Sequence, residues 1–323
     1  MNATKGPIKW FGVLKLALWT IVTLLTVSLT ACNPDSEYTR INFSKKTDAG
    51  QTVAAANDPG ALRVAVAAMV SPAEALNYYQ QLMEYLGEAV DSPIRIIQRK
   101  TYAEINALFP KGQIDLAFVC SGPYATERLR FGFEAVATPV VFGQPMYQSY
   151  LIVRENSPFQ HLDDLKGRSF AFTDPDSNTG ALVPKYWLQQ KGQLPSSFFG
   201  STTYTYSHDN SIMAVARGLV DAASVDGLKW EFYNRKAASF ARKTRVIKKS
   251  KPFGSPPLVA SVKLDLVRRE KIRKAILTMH QTQRGQQILS RLMIDRFVPP
   301  QDDWYRPIQA MSAAVNQTKG TSQ

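Results

Sequence analysis

The sequence predicts an α/β protein built as two lobes. Short apolar strands alternate with segments of helical period. After its leader the chain is about 290 residues long, more than one ordinary domain needs. The stretch from Pro252 to Pro257 reads as a crossing, after which Leu258-Val259-Ala260-Ser261-Val262 rejoins the lobe that opened the fold. The first lobe is therefore expected to be discontinuous.

The elements follow in order. Leu62 to Val66 is a strand. A helix spans about Pro72 to Ala89, with Leu76, Tyr79, Leu82, Met83, Leu86 and Val90 at helical spacing. Ser71-Pro72-Ala73-Glu74 has the form of a capping box with proline at the first helical position. Ile94 to Ile97 is a strand, and Thr101-Tyr102-Ala103-Glu104 is a second capping box. Ile114 to Val119 is a buried strand, and Ser121-Gly122-Pro123-Tyr124 turns into a helix. Ala135 to Phe142 and Ser149 to Val153 are strands. A second unit starts near Arg154 with the strand Ser169 to Phe172, the turn Asp174 to Gly180 and a helix through Gln190. Residues 192–203 read as a polar loop. Asp209 to Gly218 is a helix, Ala222 to Val225 a strand, and Asp226 opens another helix. Leu266 to Met279 and Gly285 to Leu292 are helical. The expected division is 61–153 with 255–313 for the first lobe, 154–254 for the second, and a disordered tail over 314–323.

The first 33 residues have a chemistry of their own. Lys5, Lys9 and Lys15 precede or border the apolar run Leu16 to Leu29, which ends in Leu29-Thr30-Ala31-Cys32. This order reads as a lipoprotein signal over 1–31, cleaved to leave Cys32 for lipid attachment. A single transmembrane anchor is the alternative, but the apolar core is short for a span. The lipoprotein reading puts everything after Cys32 outside the cytoplasm, tethered to a membrane and away from ATP and NAD. Residues 32–60 read as a flexible tether. Asn33, rather than Asp, after Cys32 is compatible with outer-membrane sorting in a cell with two membranes.

The net charge is +13. Export argues against nucleic acid as its partner. The local cluster Arg242-Lys243-Arg245-Lys248-Lys249-Lys251 reads as a solvated face or a contact with anionic headgroups. Besides Cys32 the only cysteine is Cys120, in an apolar run, where it reads as a buried small hydrophobe. Three histidines without a CxxC or HExxH pattern argue against a metal site. No cofactor is expected, and the chain is expected to be a monomer.

Four strands run into turns that carry a hydroxyl residue at a helix start: Ser71, Thr101, Ser121 and Ser177/Thr179. Ligands of open α/β sheets bind beyond the carboxyl ends of strands. Helix N-termini offer unpaired N–H groups to an anion. Taken singly, each hydroxyl reads as the cap of its own helix; taken together on an exported two-lobe chain, they read as a binding cleft. In Asp174 to Gly180, Gly180 permits close backbone approach, and Ser177, Asn178 and Thr179 add donors. His208 is a candidate donor to a bound oxygen, and Asp226 a candidate acceptor for a ligand proton. Tyr102 and Tyr124 would close over an apolar substituent or pack in the core. His208, Asp226 and the serines also invite a hydrolase reading, but no G-x-S-x-G elbow is present.

Leu62 to Val66, Ser71-Pro72, and Ile114-Asp115-Leu116-Ala117-Phe118-Val119-Cys120-Ser121-Gly122-Pro123-Tyr124 resemble the phosphate/phosphite/phosphonate solute-binding proteins of ABC transporters. Asp174 to Gly180, His208-Asp209-Asn210-Ser211, Gly218 to Ala223, Val225-Asp226-Gly227 and Ile294 to Val298 follow the same family's order. The resemblance spans roughly residues 61–310. It implies a type II periplasmic-binding-protein fold, in which two lobes joined by two crossing strands close on a small phosphorus oxyanion, and an ABC permease as partner. It also implies Tyr102, Ser121, Ser177, Thr179, His208 and Asp226 as pocket residues, with Ser71 a looser match. The loop Ala67 to Ser71 lacks the aromatic residue expected of a phosphonate binder, which favours a smaller or different anion. A ligand sensor for a membrane signalling protein would use the same pocket.

Overall fold

The computed structural model describes residues 60–67, 72–235 and 240–320. The leader, Cys32, nearly all of the tether and Ser71 lie outside the described residues. Among those described, no helix is long and apolar enough to cross a membrane.

The first part of the chain runs β1 (Leu62–Val66), α1 (Pro72–Glu88), β2 (Ile94–Ile97), α2 (Tyr102–Asn106), β3 (Leu116–Phe118), α3 (Ser121–Phe131) and β4 (Phe133–Val140). After β5 (Met146–Tyr147) come β6 (Ser149–Arg154), β7 (Ser169–Phe172), a π-turn at Asn178–Leu182, α4 (Val183–Gln189), α5 (Pro195–Phe198), β8 (Ser201–Tyr204), α6 (His208–Ala216), β9 (Ala222–Asp226), α7 (Gly227–Arg235) and β10 (Thr244–Lys249). The chain returns through β11 (Phe253–Gly254) to β12 (Leu258–Ser261), α8 (Leu266–Thr278), α9 (Gln283–Leu292), β13 (Arg296–Val298) and α10 (Arg306–Gly320).

Two mixed sheets result, of order β13-β4-β12-β3-β1-β2 and β10-β6-β9-β7-β8. Strands β1, β2 and β3 are parallel, and β12 and β13 pair antiparallel to them or to β4. In the second sheet β7 is parallel to β8 and β9, while β6 is antiparallel to β9 and β10. The outgoing β5 and returning β11 pair with each other alone, as a two-stranded ribbon between the sheets. The expected crossing at 252–257 is thus the return strand of that ribbon.

Strand alternation builds the core. Val64, Leu116 and Phe118 face one apolar cluster with Leu82, Met83 and Leu86 of α1, whereas Ala65, Ala117 and Val119 face another. Each fully buried leucine contributes about 1.5–3 kcal/mol. Thr101 caps α2 as expected: its hydroxyl accepts from the Glu104 N–H (3.2 Å), and the Glu104 carboxylate accepts from the Thr101 N–H (3.1 Å). Gly132, at φ +68°, terminates α3 in the left-handed conformation.

The structure differs from the sequence reading in three places. Ser149–Arg154, expected in the first lobe, is a central strand of the second sheet, paired Ser149 to Asp226 and Tyr150 to Val225. Its apolar run suits either core, so composition alone did not assign it. Residues 192–203, expected as loop, contain α5 and the edge strand β8. The side chains of Ser201, Thr202 and Thr203 are exposed, so β8 lacks the apolar alternation that marks a strand. Residues 314–320 of the segment expected as a disordered tail belong to α10, which runs to Gly320. Ile308, Met311 and Val315 bury one face of it. Gln309 Nε2 donates to Ala125 O (2.8 Å) and Gln189 Nε2 to Ala314 O (3.2 Å).

The basic cluster lies on and beside the edge strand β10. Arg245 donates to Ser157 O and Phe159 O, Lys248 sits over Trp187 (5.2 Å) and Lys249 over Tyr150 (4.5 Å). Charges of this kind discourage edge-to-edge pairing.

Removing residues 306–323 should lower the melting temperature by several degrees, because three buried apolar side chains are lost at about 1.5–3 kcal/mol each. Removing 321–323 alone should not. Calorimetry of the two truncations distinguishes a packed helix from a dispensable tail, and equal melting temperatures would favour the latter.

Candidate oxyanion-binding site

The carboxyl ends of β1, β3, β7 and β9 and the amino ends of β6 and β12 meet where the two sheets approach. Four turns at these ends carry the candidate residues. Strand β3 delivers Cys120 as the N-cap of α3, with no side-chain cap bond, and Ser121 as the first helical residue. Strand β7 runs through Thr173 and Asp174 to Ser177, whose hydroxyl accepts the Gly180 N–H (3.0 Å) and caps the π-turn. Ser207 caps α6, which makes His208 its first residue. Strand β9 ends at Asp226, whose Oδ1 accepts the N–H groups of Leu228 (2.8 Å) and Lys229 (3.2 Å).

These turns touch across the two lobes. The Tyr102 N–H, at the start of α2, donates to Asp174 Oδ2 (3.1 Å). The Asn178 N–H donates to Cys120 Sγ (3.5 Å). Tyr147, on the outgoing ribbon strand, hydrogen-bonds Ser121 Oγ and accepts from Asn178 Nδ2 (3.1 Å). Lys100 Nζ lies 4.7 Å from the centre of the Tyr206 ring. Ser149 and Ser224 both donate to Thr179 O (2.7 and 2.8 Å), which fixes the π-turn against β6 and β9.

Burial sets the charge of the site. His208 is 1% exposed, and its Nδ1 accepts the Asp226 N–H (3.1 Å) beside Thr173 Oγ1 (3.1 Å). The neutral ring then carries its proton on Nε2. Burial first, and then the charge of Lys229, lower the His208 pKa to about 3, so the ring is a neutral donor at physiological pH. Burial pushes the Asp226 carboxyl up, and Lys229 with the two backbone N–H groups pulls it back. Asp174 is likewise raised by burial, against the N–H groups of Asp176 and Tyr102. The Cys120 thiol is pushed up to about 12 by burial and stays protonated. The Tyr102 phenol lies within electrostatic reach of Cys120, Asp174, Asp226 and Tyr147, and burial pushes it well above its ordinary value.

Three buried polar atoms here lack a hydrogen-bond partner among the described residues: Tyr102 Oη, Asn178 Oδ1 and Thr179 Oγ1. Each such atom costs roughly 1–3 kcal/mol unless something meets it. Two are hydroxyls able to donate, and with His208 Nε2–H they suit an oxyanion. Asn178 Oδ1 and the Asp226 carboxylate can accept, which suits a ligand hydroxyl or amine hydrogen. No group of three His, Cys, Asp or Glu is placed to hold a metal ion among the described residues.

Of the residues the sequence nominated, the structure brings Tyr102, Ser121, Asn178, Thr179, His208 and Asp226 together. Ser177 and Gly180 have supporting parts instead. The Ser177 hydroxyl is engaged by the Gly180 N–H, and a Cβ on Gly180 would lie 2.4 Å from Thr173. Tyr124 sits apart: its ring packs edge-on to Tyr305 (4.6 Å) and its hydroxyl accepts from Arg128 (2.9 Å). It stands one turn further along α3 than Ser121, where Tyr305 and Arg128 engage it, so nearness in sequence misplaced it. Sequence reasoning missed Tyr147, Ser149, Ser224 and Lys229. For Tyr147 there was a signal, its position on the outgoing crossing. For the two serines there was none, because a small hydroxyl inside a strand reads as ordinary core.

Comparison with known proteins bears on the family and the fold. The family model for the periplasmic substrate-binding protein of phosphonate ABC transporters matches residues 64–305. The phosphonates-binding periplasmic protein of Escherichia coli (strain K12) is 30% identical over 154 residues, covering 46% of this chain and 45% of that protein. The phosphate-import protein PhnD of Mycolicibacterium smegmatis is 27% identical over 187 residues, covering 54% and 58%. The chain thus spans about half the length of the curated relatives it matches. A binding protein component of an ABC phosphonate transporter from Pseudomonas aeruginosa superposes with a TM-score of 0.76 at 23% identity, covering 81% of this chain and 89% of that one. PhnD1 from Prochlorococcus marinus, in complex with methylphosphonate, gives 0.72 at 20% identity, covering 80% and 99%. These two likenesses show the two-lobe fold.

A methyl group at Gly122 would lie 2.6 Å from Asp176 O and 3.2 Å from Asn178 N, both backbone atoms of the facing lobe. Gly122→Ala should therefore hold the lobes apart and weaken ligand binding by about tenfold or more, while the unliganded melting temperature changes little. Calorimetric titration checks this, and wild-type affinity in the variant would exclude such close approach in the bound form.

His208 also leaves a signature in the pH dependence of stability. An unfolded chain protonates this ring near pH 6.5 and the folded one only near 3. Stability from the neutral ring is therefore lost progressively as pH falls through that window. The raised Asp174 and Asp226 act in the opposite sense, because there the folded state takes the proton first. Comparing variants isolates the histidine. His208→Gln should flatten the loss between pH 6.5 and 3 by a few kcal/mol, on the order of the shift at about 1.4 kcal/mol per unit. Urea unfolding at stepped pH measures it, and parallel curves would contradict a buried neutral ring.

Proposed function

The chain belongs to the periplasmic substrate-binding proteins of phosphonate ABC transporters, and from that premise we propose that it captures a small, partly protonated phosphorus oxyanion and presents it to a membrane permease. The family is one of binding proteins, not catalysts. What supports the ligand class is the set of buried, unpartnered atoms contributed from both lobes: Tyr102 Oη from one, Thr179 Oγ1 and Asn178 Oδ1 from the other. The donors would hold the oxyanion. Asp226 would accept its remaining proton and repel the fully ionised form, a device for rejecting look-alike anions. Phosphite, methylphosphonate and phosphate all carry such a proton in a charge state populated near neutral pH, whereas sulfate does not. The absence of a charged contact among the nominated donors fits a site that selects by hydrogen-bond pattern rather than by charge alone.

Within the same reading, the ribbon of Met146–Tyr147 and Phe253–Gly254 is the hinge. Tyr147 stands on it and bonds residues of both lobes, which would link ligand entry to closure. The lobes are then 61–145 with 255–313 extended by α10, and 149–250. Cys32 supplies a lipid anchor at the outer face of a membrane, with 32–60 as tether, and the bound form is a monomer.

Thermal melting with phosphate, phosphite, methylphosphonate, aminoethylphosphonate and sulfate tests this. A cognate ligand at a hundredfold excess over its dissociation constant stabilises by about 2.7 kcal/mol. At least one phosphorus oxyanion should do so while sulfate does not. Asp226→Asn should weaken that ligand about tenfold and move its optimum toward the more ionised form. If no phosphorus oxyanion shifts the melting temperature, the ligand class is wrong.

A further inference from the structure

Helix α7 carries a second charged residue next to Asp226. Lys229 is three positions on, and its backbone N–H is one of the two that hold Asp226 Oδ1. Its side chain reaches across to the first lobe. Lys229 Nζ donates to Tyr79 Oη (3.0 Å) and lies 5.4 Å from the centre of that ring. Tyr79 is on α1 of the first lobe, is 7% exposed, and packs against Phe118 of β3 (5.3 Å). Phe118 lies two residues before Cys120 and three before Ser121. The contact therefore links the acceptor of one lobe to the strand that carries the donor turn of the other.

The charge of the site gives this contact a purpose. The groups assigned to the ligand are neutral except for Asp226. Enclosing an oxyanion beside a buried carboxylate sets two like charges together at low dielectric, which is costly without a nearby cation. Lys229 supplies one: its field acts on both Asp226 and His208. Tyr79 and Asp209 face the ammonium as well. A lysine can reach Tyr79 only when the lobes are together, so the compensating charge is fixed in place by closure itself.

Building on the oxyanion reading above, we infer that Lys229 is a positioning residue that acts through Asp226: its ammonium offsets the carboxylate and the enclosed anion, and its bond to Tyr79 ties that charge to the closed form. Its backbone N–H holds Asp226 Oδ1 and its ammonium holds Tyr79 Oη, and neither of these donors is assigned to the ligand. An open form would leave the lysine solvated and the carboxylate uncompensated, and would bind the anion weakly.

The test uses the full chain, the oxyanion giving the largest thermal shift, calorimetric titration and small-angle scattering with and without ligand. Lys229→Met should lose about tenfold or more in affinity, as expected for a charge-assisted interaction, and should lose most of the ligand-induced contraction. Lys229→Arg keeps the charge and should stay within about threefold of wild type. Wild-type affinity and contraction in Lys229→Met would overturn the inference. Equal losses in the methionine and arginine variants would also overturn it, because they would mark a packing role indifferent to charge. Where Lys229→Met does not fold, Tyr79→Phe, which removes only the hydroxyl, carries the test: its contraction should weaken, and an unchanged one overturns the bridge. A wild-type chain that binds none of the phosphorus oxyanions overturns the ligand reading instead, an outcome separate from all of these.

Discussion

Asp174 accepts the backbone N–H of Tyr102 from the facing lobe, and both groups are buried. Polar groups removed from water must find partners or pay several kcal/mol. That requirement organises the centre of this molecule. The turns after β3, β7 and β9 satisfy most of their donors and acceptors with one another: Asn178 with Cys120 and Tyr147, Thr179 O with two serines, His208 with the Asp226 N–H. Atoms left over are few, and three of them cluster on Tyr102, Asn178 and Thr179. A surface that satisfies nearly everything except a small set of converging groups is selective, because any guest must match what remains.

Close approach of backbone makes this economy possible. Gly122 brings α3 against Asp176 and Asn178, and Gly180 lets the π-turn press onto Thr173. Neither position has room for a Cβ. Ser149 and Ser224, both buried, are small enough to sit under Thr179 and still donate to its carbonyl. The antiparallel register that sets Ser149 opposite Asp226 therefore sets the acceptor carboxylate and the support of the donor turn at the same end of the sheet.

Electrostatics then favours a particular kind of guest. His208 is held neutral, Cys120 stays a thiol, and the two carboxyls are raised by their surroundings. In the reading proposed above, Lys229 offsets Asp226, while Asp174 is met by the N–H groups of Tyr102 and Asp176. A singly charged oxyanion with one proton to give disturbs that arrangement less than a fully ionised one.

The strand and helix periods, the Thr101 capping box and the buried run before Cys120 were legible in the sequence because each depends on neighbours a few residues apart. The ordered turn motifs also carried the family resemblance, and six of the nominated residues do converge. The rest depended on contacts between distant segments. Strand β8 has no apolar face because it is an edge, and α10 is short of strong signals because its partners lie on α3 and α4. Tyr124 faces Tyr305, far along the chain, and Lys229 faces Tyr79 from the opposite lobe. Local sequence determined which elements form and which turns carry hydroxyls. Only the tertiary structure decided which hydroxyls are consumed by their own loops and which remain unpartnered, because hydrogen-bond satisfaction is a property of the assembled interior and not of any one segment.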